Sequence, residues 1–255
     1  MGFPKMTFTE NLRLTKPFFD LNGKRQPKYS ELMLNMFGDA FVFLFLYNRK
    51  KNESFVVDEN SIAILEEMKG GGIFLAAHYG NHELLGYRLA ELGLPLNSAS
   101  VVQKPEFFDK FLQRKRTFKG KCFALQKSPK EALQFIENGG LFGLIADQDF
   151  RKSCPRKYSE KCQSKFLGVE VNCNPFPIFI LEHYKKTPVF CGHLRQGKKN
   201  QTLFLKKLNT ENLYNNYHSW LENLILENPA KWYGWVHGRF KFLPSQVNGQ
   251  KAENQ

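Results

Sequence analysis

The chain has no hydrophobic run of the ~20 residues that a membrane-spanning helix requires. Its most apolar segment, "AFVFLFLY" from Ala40 to Tyr47, falls far short of that length. Integral insertion is therefore not expected, while peripheral contact with a membrane stays open. The first twenty residues, "MGFPKMTFTENLRLTKPFFD", lack a continuous apolar stretch, so no secretory signal is expected. Cysteine is scarce and odd in number. Cys122, Cys154, Cys162, Cys173 and Cys191 match no zinc spacing, which points to reduced thiols in a cytosolic setting rather than a disulfide framework. Acidic residues are the other shortage: 24 Asp and Glu stand against 37 Lys and Arg, a formal charge of +13. That balance favours an anionic partner, whether nucleic acid, an acidic carrier protein or an anionic membrane face. No recognised DNA- or RNA-binding motif accompanies the charge, which argues against nucleic acid.

Phenylalanine, by contrast, is abundant: the 25 Phe help to raise the aromatic content to 15%. Most are expected in the core, with some free to face lipid or an acyl chain. The 255 residues suffice for one α/β domain with a real core. Residues 1–70 read as an N-terminal helical segment packed on the core, 71–243 as the α/β core and 244–255 as a flexible tail. From Gly72 onward short apolar strands alternate with helices. "GIFLAA", "NSASVVQ", "KCFAL" and "LFGLIA" read as strands, and "HELLGYRLAEL", "EFFDKFLQRKRTF" and "SPKEALQFIENGG" as helices. Beyond a basic, cysteine-bearing loop come the helix "PFPIFILEHYKK", the strands "PVFCGHL" and "TLFLKKL", and a long helix ending near Asn228. The alternation predicts a largely parallel or mixed central sheet flanked by helices, with an antiparallel hairpin near its end.

Such sheets place their sites just beyond the strand C-termini, where His78 and Asp147 both fall and could meet in space. His78 and Glu83 lie five apart across a strand-to-helix turn. A Glu accepting the Nδ1 proton would aim Nε2 at a substrate hydroxyl as a general base. Asn81 is a candidate helix cap, and Gly80 permits a tight turn. The competing reading makes His78 a satisfied buried histidine and Glu83 a charge favoured by the helix dipole. His78 and His82 at i, i+4 spacing resemble a zinc pair only loosely, since Gly80 and Asn81 interrupt the helix and the order differs from H-E-x-x-H. Asp147 and Asp149 flank Gln148, with no third carboxylate in sight for a divalent metal. No metal is expected.

The segment "HYGNHE" resembles the H-x-x-x-x-D/E signature of the glycerolipid acyltransferase superfamily. Further matches follow in order. "VVQKPEF" is similar to the Y-R-P segment of the bacterial lipid A late (lauroyl/myristoyl) acyltransferases, with Lys104 at the Arg position. "ENGGLFGLIADQDF" resembles the stretch ending in D-Q-D, "KFLGVEVNCNPFPIFIL" the F-F-G-x-x-A-x-T segment, and "WVHGRFK" the terminal W-x-H-R-R-F-K, with Gly238 before Arg239. The resemblance covers roughly residues 70 to 242 and implies an acyltransferase-like fold. It also implies transfer of a fatty acyl chain from an acyl carrier protein (or coenzyme A) thioester to a hydroxyl of a lipid A precursor. No cofactor is implied, because the thioester is already activated. His78 and Glu83 would be catalytic. Asn81, Lys104, Arg114, Arg116, Asp147, Gln148, Asp149 and Arg239 are the candidate substrate-binding residues. The acceptor would be an anionic glycolipid, and the place of action the cytoplasmic face of the inner membrane, peripherally associated. Other lipid acceptors, or a non-catalytic basic protein binding membrane or nucleic acid, are the alternatives. Two departures from the family pattern are expected: no N-terminal membrane helix is read in the sequence, and Lys104 offers a point charge where the family has a guanidinium fork.

Overall fold

The computed structural model describes residues 3–46, 54–99, 104–118, 121–122, 124–125, 129–148, 156–158, 160–197, 200–236 and 240. Helix Phe3–Leu21 (α1) leads to Tyr29–Phe41 (α2), which continues as a π-helical turn over Val42–Leu46. Strand Ser54–Val57 (β1) and helix Ile62–Met68 (α3) follow, and then the alternation expected from the sequence begins. It runs Gly72–Ala76 (β2), His82–Glu91 (α4), Leu96–Ala99 (β3) and Glu106–Lys115 (α5). A small hairpin, Thr117–Phe118 (β4) with Lys121–Cys122 (β5), precedes Ala124–Leu125 (β6), Pro129–Glu137 (α6) and Leu141–Ile145 (β7). The last elements are Gln163–Phe166 (β8), Val169–Asn172 (β9), Phe176–His183 (α7), Val189–Gln196 (β10), Asn200–Leu208 (β11) and Leu213–Glu227 (α8).

Among the described residues, seven strands form one sheet in the order β1-β11-β10-β2-β7-β3-β6. Of these described pairs only β10–β11 is antiparallel, and it is the hairpin read near the end of the chain; the other neighbours run parallel. Alternate residues supply the two faces of the sheet. Ile73, Leu75, Phe142, Leu144 and Val189 pack under α8 through Tyr217, Leu221 and Ile225, together with Trp232 and Trp235. Phe74, Phe190, Leu203 and Leu205 pack under α3 and α4 through Leu65, Met68, Leu84 and Leu89.

Several elements differ from the expectation. "KCFAL" is not one strand but is divided between β5, paired with β4, and β6, in the central sheet, and Thr117–Phe118, read as the end of a helix, form β4. The segment 1–70 is not wholly helical: β1 joins the central sheet beside β11, with Ser54 opposite Asn200. Part of the stretch read as a basic loop is the β8–β9 hairpin, turned through Leu167 and Gly168, both at positive φ. A two-residue turn with left-handed backbone at both positions closes a hairpin of matching twist. The proposed tail, 244–255, lies outside the described residues.

Candidate active site

Strands β2 and β7 run parallel with Ala76 opposite Ile145, so extending both by two residues brings His78 beside Asp147. Both side chains emerge at the C-terminal edge of the sheet. Asp147 Oδ1 lies 2.9 Å from His78 Nδ1. Its Oδ2 accepts from the His78 backbone N–H at 3.0 Å and from Trp232 Nε1 at 2.8 Å. The Asp147 side chain is 0% exposed and that of His78 13%. Burial alone would raise the carboxyl pKa, but the imidazole charge and these donors outweigh it and hold Asp147 well below the usual carboxylate range. For His78, burial works against the charged form, yet the Asp147 carboxylate, with Glu83 behind it, lifts the pKa above that of a free imidazole.

Trp232 was not singled out in the sequence. It arrives on the strap that follows α8, which is laced to the turn after β2. Gly80 N–H donates to Lys231 O at 2.8 Å, Tyr233 N–H donates to His78 O at 2.7 Å, and Tyr79 and Trp232 form an isolated antiparallel bridge. Backbone pairing from His78 to Gly80 thus fixes the main chain that carries the imidazole.

Glu83 does not occupy the place expected of it. Its carboxylate receives a fork from Arg116, with Nε at 3.0 Å from Oε2 and Nη2 on Oε1, while Asp147 takes Nδ1. The reason is geometric: Asp147 is delivered by strand register to the Nδ1 side, whereas Glu83 sits in the first turn of α4 and meets the guanidinium at the end of α5. Arg116 likewise turns inward onto Glu83, with its side chain only 13% exposed, and is not simply an outward substrate cation. Desolvation would raise the Glu83 pKa, but the Arg116 fork and the two nearby histidines keep it low.

Asn81 is the cap the sequence suggested, accepting from Leu84 N–H at 3.0 Å, and its Nδ2 donates to Asp39 O at 3.1 Å. Both ends of this buried amide are engaged within the protein. Gln148 is exposed, with Nε2 at 3.5 Å from His78 Nε2. Lys104 and Arg114 are also exposed. Asp149 and Arg239 lie outside the described residues. The His82 ring meets His78 edge-on at 5.1 Å, with Nδ1 3.4 Å from Gly80 O. Burial and the neighbouring imidazole push its pKa down, and the His82 ring forms a wall of the site. Among the described residues, no group of three or more His, Cys, Asp and Glu side chains is arranged to hold a metal ion.

The site is therefore an imidazole with Nδ1 committed to a buried carboxylate and Nε2 as its basic nitrogen, at the edge of a mainly parallel sheet. Such a pair can accept a proton from a hydroxyl and return it to a leaving group. No curated protein matches the chain. The family model described as bacterial lipid A biosynthesis acyltransferase matches residues 36–242, a span that includes β2, the His78 turn, Asp147 and Trp232. On that match the chain belongs to the bacterial lipid A biosynthesis acyltransferase family.

Proposed function

We propose that the protein moves a fatty acyl chain from an acyl carrier protein or coenzyme A thioester to a hydroxyl of an anionic lipid A precursor. His78 is the general base, and Asp147, rather than Glu83, is the residue that positions it. The observation that carries this reading is the Asp147–His78 contact, made rigid by Trp232 and by the backbone pairing around the turn.

The acceptor hydroxyl oxygen attacks the thioester carbonyl carbon as its proton passes to His78 Nε2, and Asp147 stabilises the imidazolium that forms. The tetrahedral intermediate collapses with cleavage of the C–S bond. The sulfur leaves with the electron pair and takes the proton from Nε2, so the imidazole is regenerated. Atoms and charge balance without a cofactor or external oxidant. Glu83 and Arg116 form one wall of the site, where a half-buried fork fixes the end of α5 against the start of α4. The His82 ring closes the side nearest His78.

The test incubates the pure protein with acyl carrier thioesters and a lipid A precursor and identifies the acylated product by mass spectrometry. His78→Ala is expected to lower the rate by a factor on the order of 10³ or more. A His78→Ala protein that forms the same product at a rate near that of the parent would overturn the proposal.

A further inference from the structure

By length and composition the helix Tyr29–Leu46 is long and apolar enough to cross a membrane, against the expectation from the sequence. Between Leu32 and Leu46 it carries one charge, Asp39, and that residue is only 8% exposed. A carboxylate among apolar side chains is costly to bury and is kept where hydrogen bonds satisfy it. Two do so here. The Asp39 carboxylate accepts from the Tyr233 hydroxyl, and its backbone carbonyl accepts from Asn81 Nδ2 at 3.1 Å. Burial and the nearby carboxylate push the Tyr233 pKa well above the usual phenol range, so this hydroxyl stays a donor.

The two partners of Asp39 stand at opposite ends of the turn that carries the base. Tyr233 N–H donates to His78 O at 2.7 Å, and Asn81 caps α4 by accepting from Leu84 N–H at 3.0 Å. Trp232, the neighbour of Tyr233, donates to Asp147, so the same strap reaches the carboxylate at His78 Nδ1. Asn35 lies one helical turn before Asp39 on the same face, and its Nδ2 donates to Ala230 O at 3.3 Å. Helix α2 therefore lies along the strap on two polar rungs. Beyond Asp39 the winding changes from α to π over Val42–Leu46, and π turns are rare and frequent at functional sites.

We propose that Asp39 is a positioning residue for the transfer reaction: gripping Tyr233 on one side and Asn81 on the other, it sets the main chain that aims His78 Nε2 at the acceptor hydroxyl. The inference rests on the proposed acyl transfer for the reaction it serves. An anchor that merely held α2 to the core would change stability alone. A clamp on the turn changes the rate as well, because a displacement of about 1 Å at the reacting groups costs on the order of 10²-fold.

The experiment measures kcat, KM and melting midpoints for Asp39→Leu, Tyr233→Phe, the two together, and Asp39→Asn. Asp39→Leu and Tyr233→Phe should each lower kcat by about 10- to 10²-fold, with KM for the thioester within about twofold of the parent. The double variant removes donor and acceptor at once, so its melting midpoint should return toward that of the parent while kcat stays at the level of the single variants. Asp39→Asn, whose amide oxygen still accepts from the phenol, should recover most of the rate. A kcat that returns with the melting midpoint in the double variant would overturn the proposal, as would an Asp39→Asn protein as slow as Asp39→Leu. A readout without turnover is the ring titration of His78, followed by nuclear magnetic resonance of 15N-labelled imidazoles. In Asp39→Leu and Tyr233→Phe it should move down toward that of a free imidazole as the contact with Asp147 loosens. An unmoved titration in both variants would likewise defeat the clamp. If the parent protein transfers no acyl group in any assay, the proposed reaction fails while the imidazole titration still decides whether Asp39 positions His78.

Discussion

At the scale of single residues, the question is which carboxylate serves His78. Asp147 accepts at Nδ1 and lifts the imidazole pKa, whereas Glu83 contributes charge from farther away and is neutralised by Arg116. A base must be unprotonated, so the rate should rise with pH through the raised pKa of His78. Replacing Asp147 by Asn leaves burial as the dominant influence, which lowers that pKa and moves the acid limb to lower pH. It also leaves the tautomer unfixed, and kcat should fall by about 10³ to 10⁴. Glu83→Gln should shift the limb in the same direction by much less and lower kcat by about tenfold. Profiles of kcat/KM from about pH 5 to about pH 9 separate the two residues. A larger displacement in Glu83→Gln than in Asp147→Asn would restore Glu83 as the positioning group. His78 was legible because an apolar strand ends in it, and its meeting with Asp147 because both lie at strand ends. The choice between Asp147 and Glu83 was not legible, since spacing along the chain favours the neighbour five residues away over one brought in by parallel register. Trp232 was hidden for the same reason: its indole N–H reaches Asp147 only through the strap after α8.

At the scale of elements, the register of β2 on β7 is set where the chain enters both strands. Gly71 has φ +88°, and a Cβ there would lie 2.5 Å from the backbone of Gly139. Gly72 N–H donates to Gly140 O at 3.0 Å. Two glycine turns, Gly70-Gly71-Gly72 and Gly139-Gly140, thus touch backbone to backbone and align the strands whose far ends carry His78 and Asp147. Gly71→Ala is expected to destabilise the fold by about 2 to 4 kcal/mol, from a left-handed backbone and a clash that no side-chain movement relieves. Denaturant titration measures it, and a loss under about 0.5 kcal/mol, the scale of a neutral surface change, would show that the contact does not hold the register. Both runs of glycine follow a helix, α3 or α6, but their contact across the sheet leaves no periodic trace in the sequence. β2, β7, β10 and β11 were readable from apolar runs of buried-strand length. β1 was not, because four residues, Ser54–Val57, are too few to show a pattern. The β8–β9 hairpin was missed because its turn, Leu167-Gly168, lacks the Asn-Gly or Asp-Gly signal on which short hairpins are recognised.

At the scale of the whole molecule, the charge of +13 acts before any contact is made. Between Lys104 and Lys130 the sequence carries nine Lys and Arg against Glu106 and Asp109 alone, and this run includes α5, whose end is fixed to Glu83 at the site. An acidic carrier protein approaching the site would be drawn by that field, whereas a short uncharged acyl-pantetheine thioester would not. The Debye length falls from about 10 Å at 0.1 M salt to about 3 Å at 1 M, so the attraction is screened while the chemistry at His78, inside the fold, is not. With a carrier-borne donor, kcat/KM should drop on the order of tenfold between about 0.05 M and about 0.5 M salt, with kcat nearly constant. With acyl-pantetheine, both constants should hold across the same range. The comparison isolates encounter from catalysis because the transferred group and the base are the same in both reactions. Equal salt sensitivity for the two donors would place the effect on the acceptor or the fold, and the basic run on α5 would then serve the lipid surface rather than the carrier.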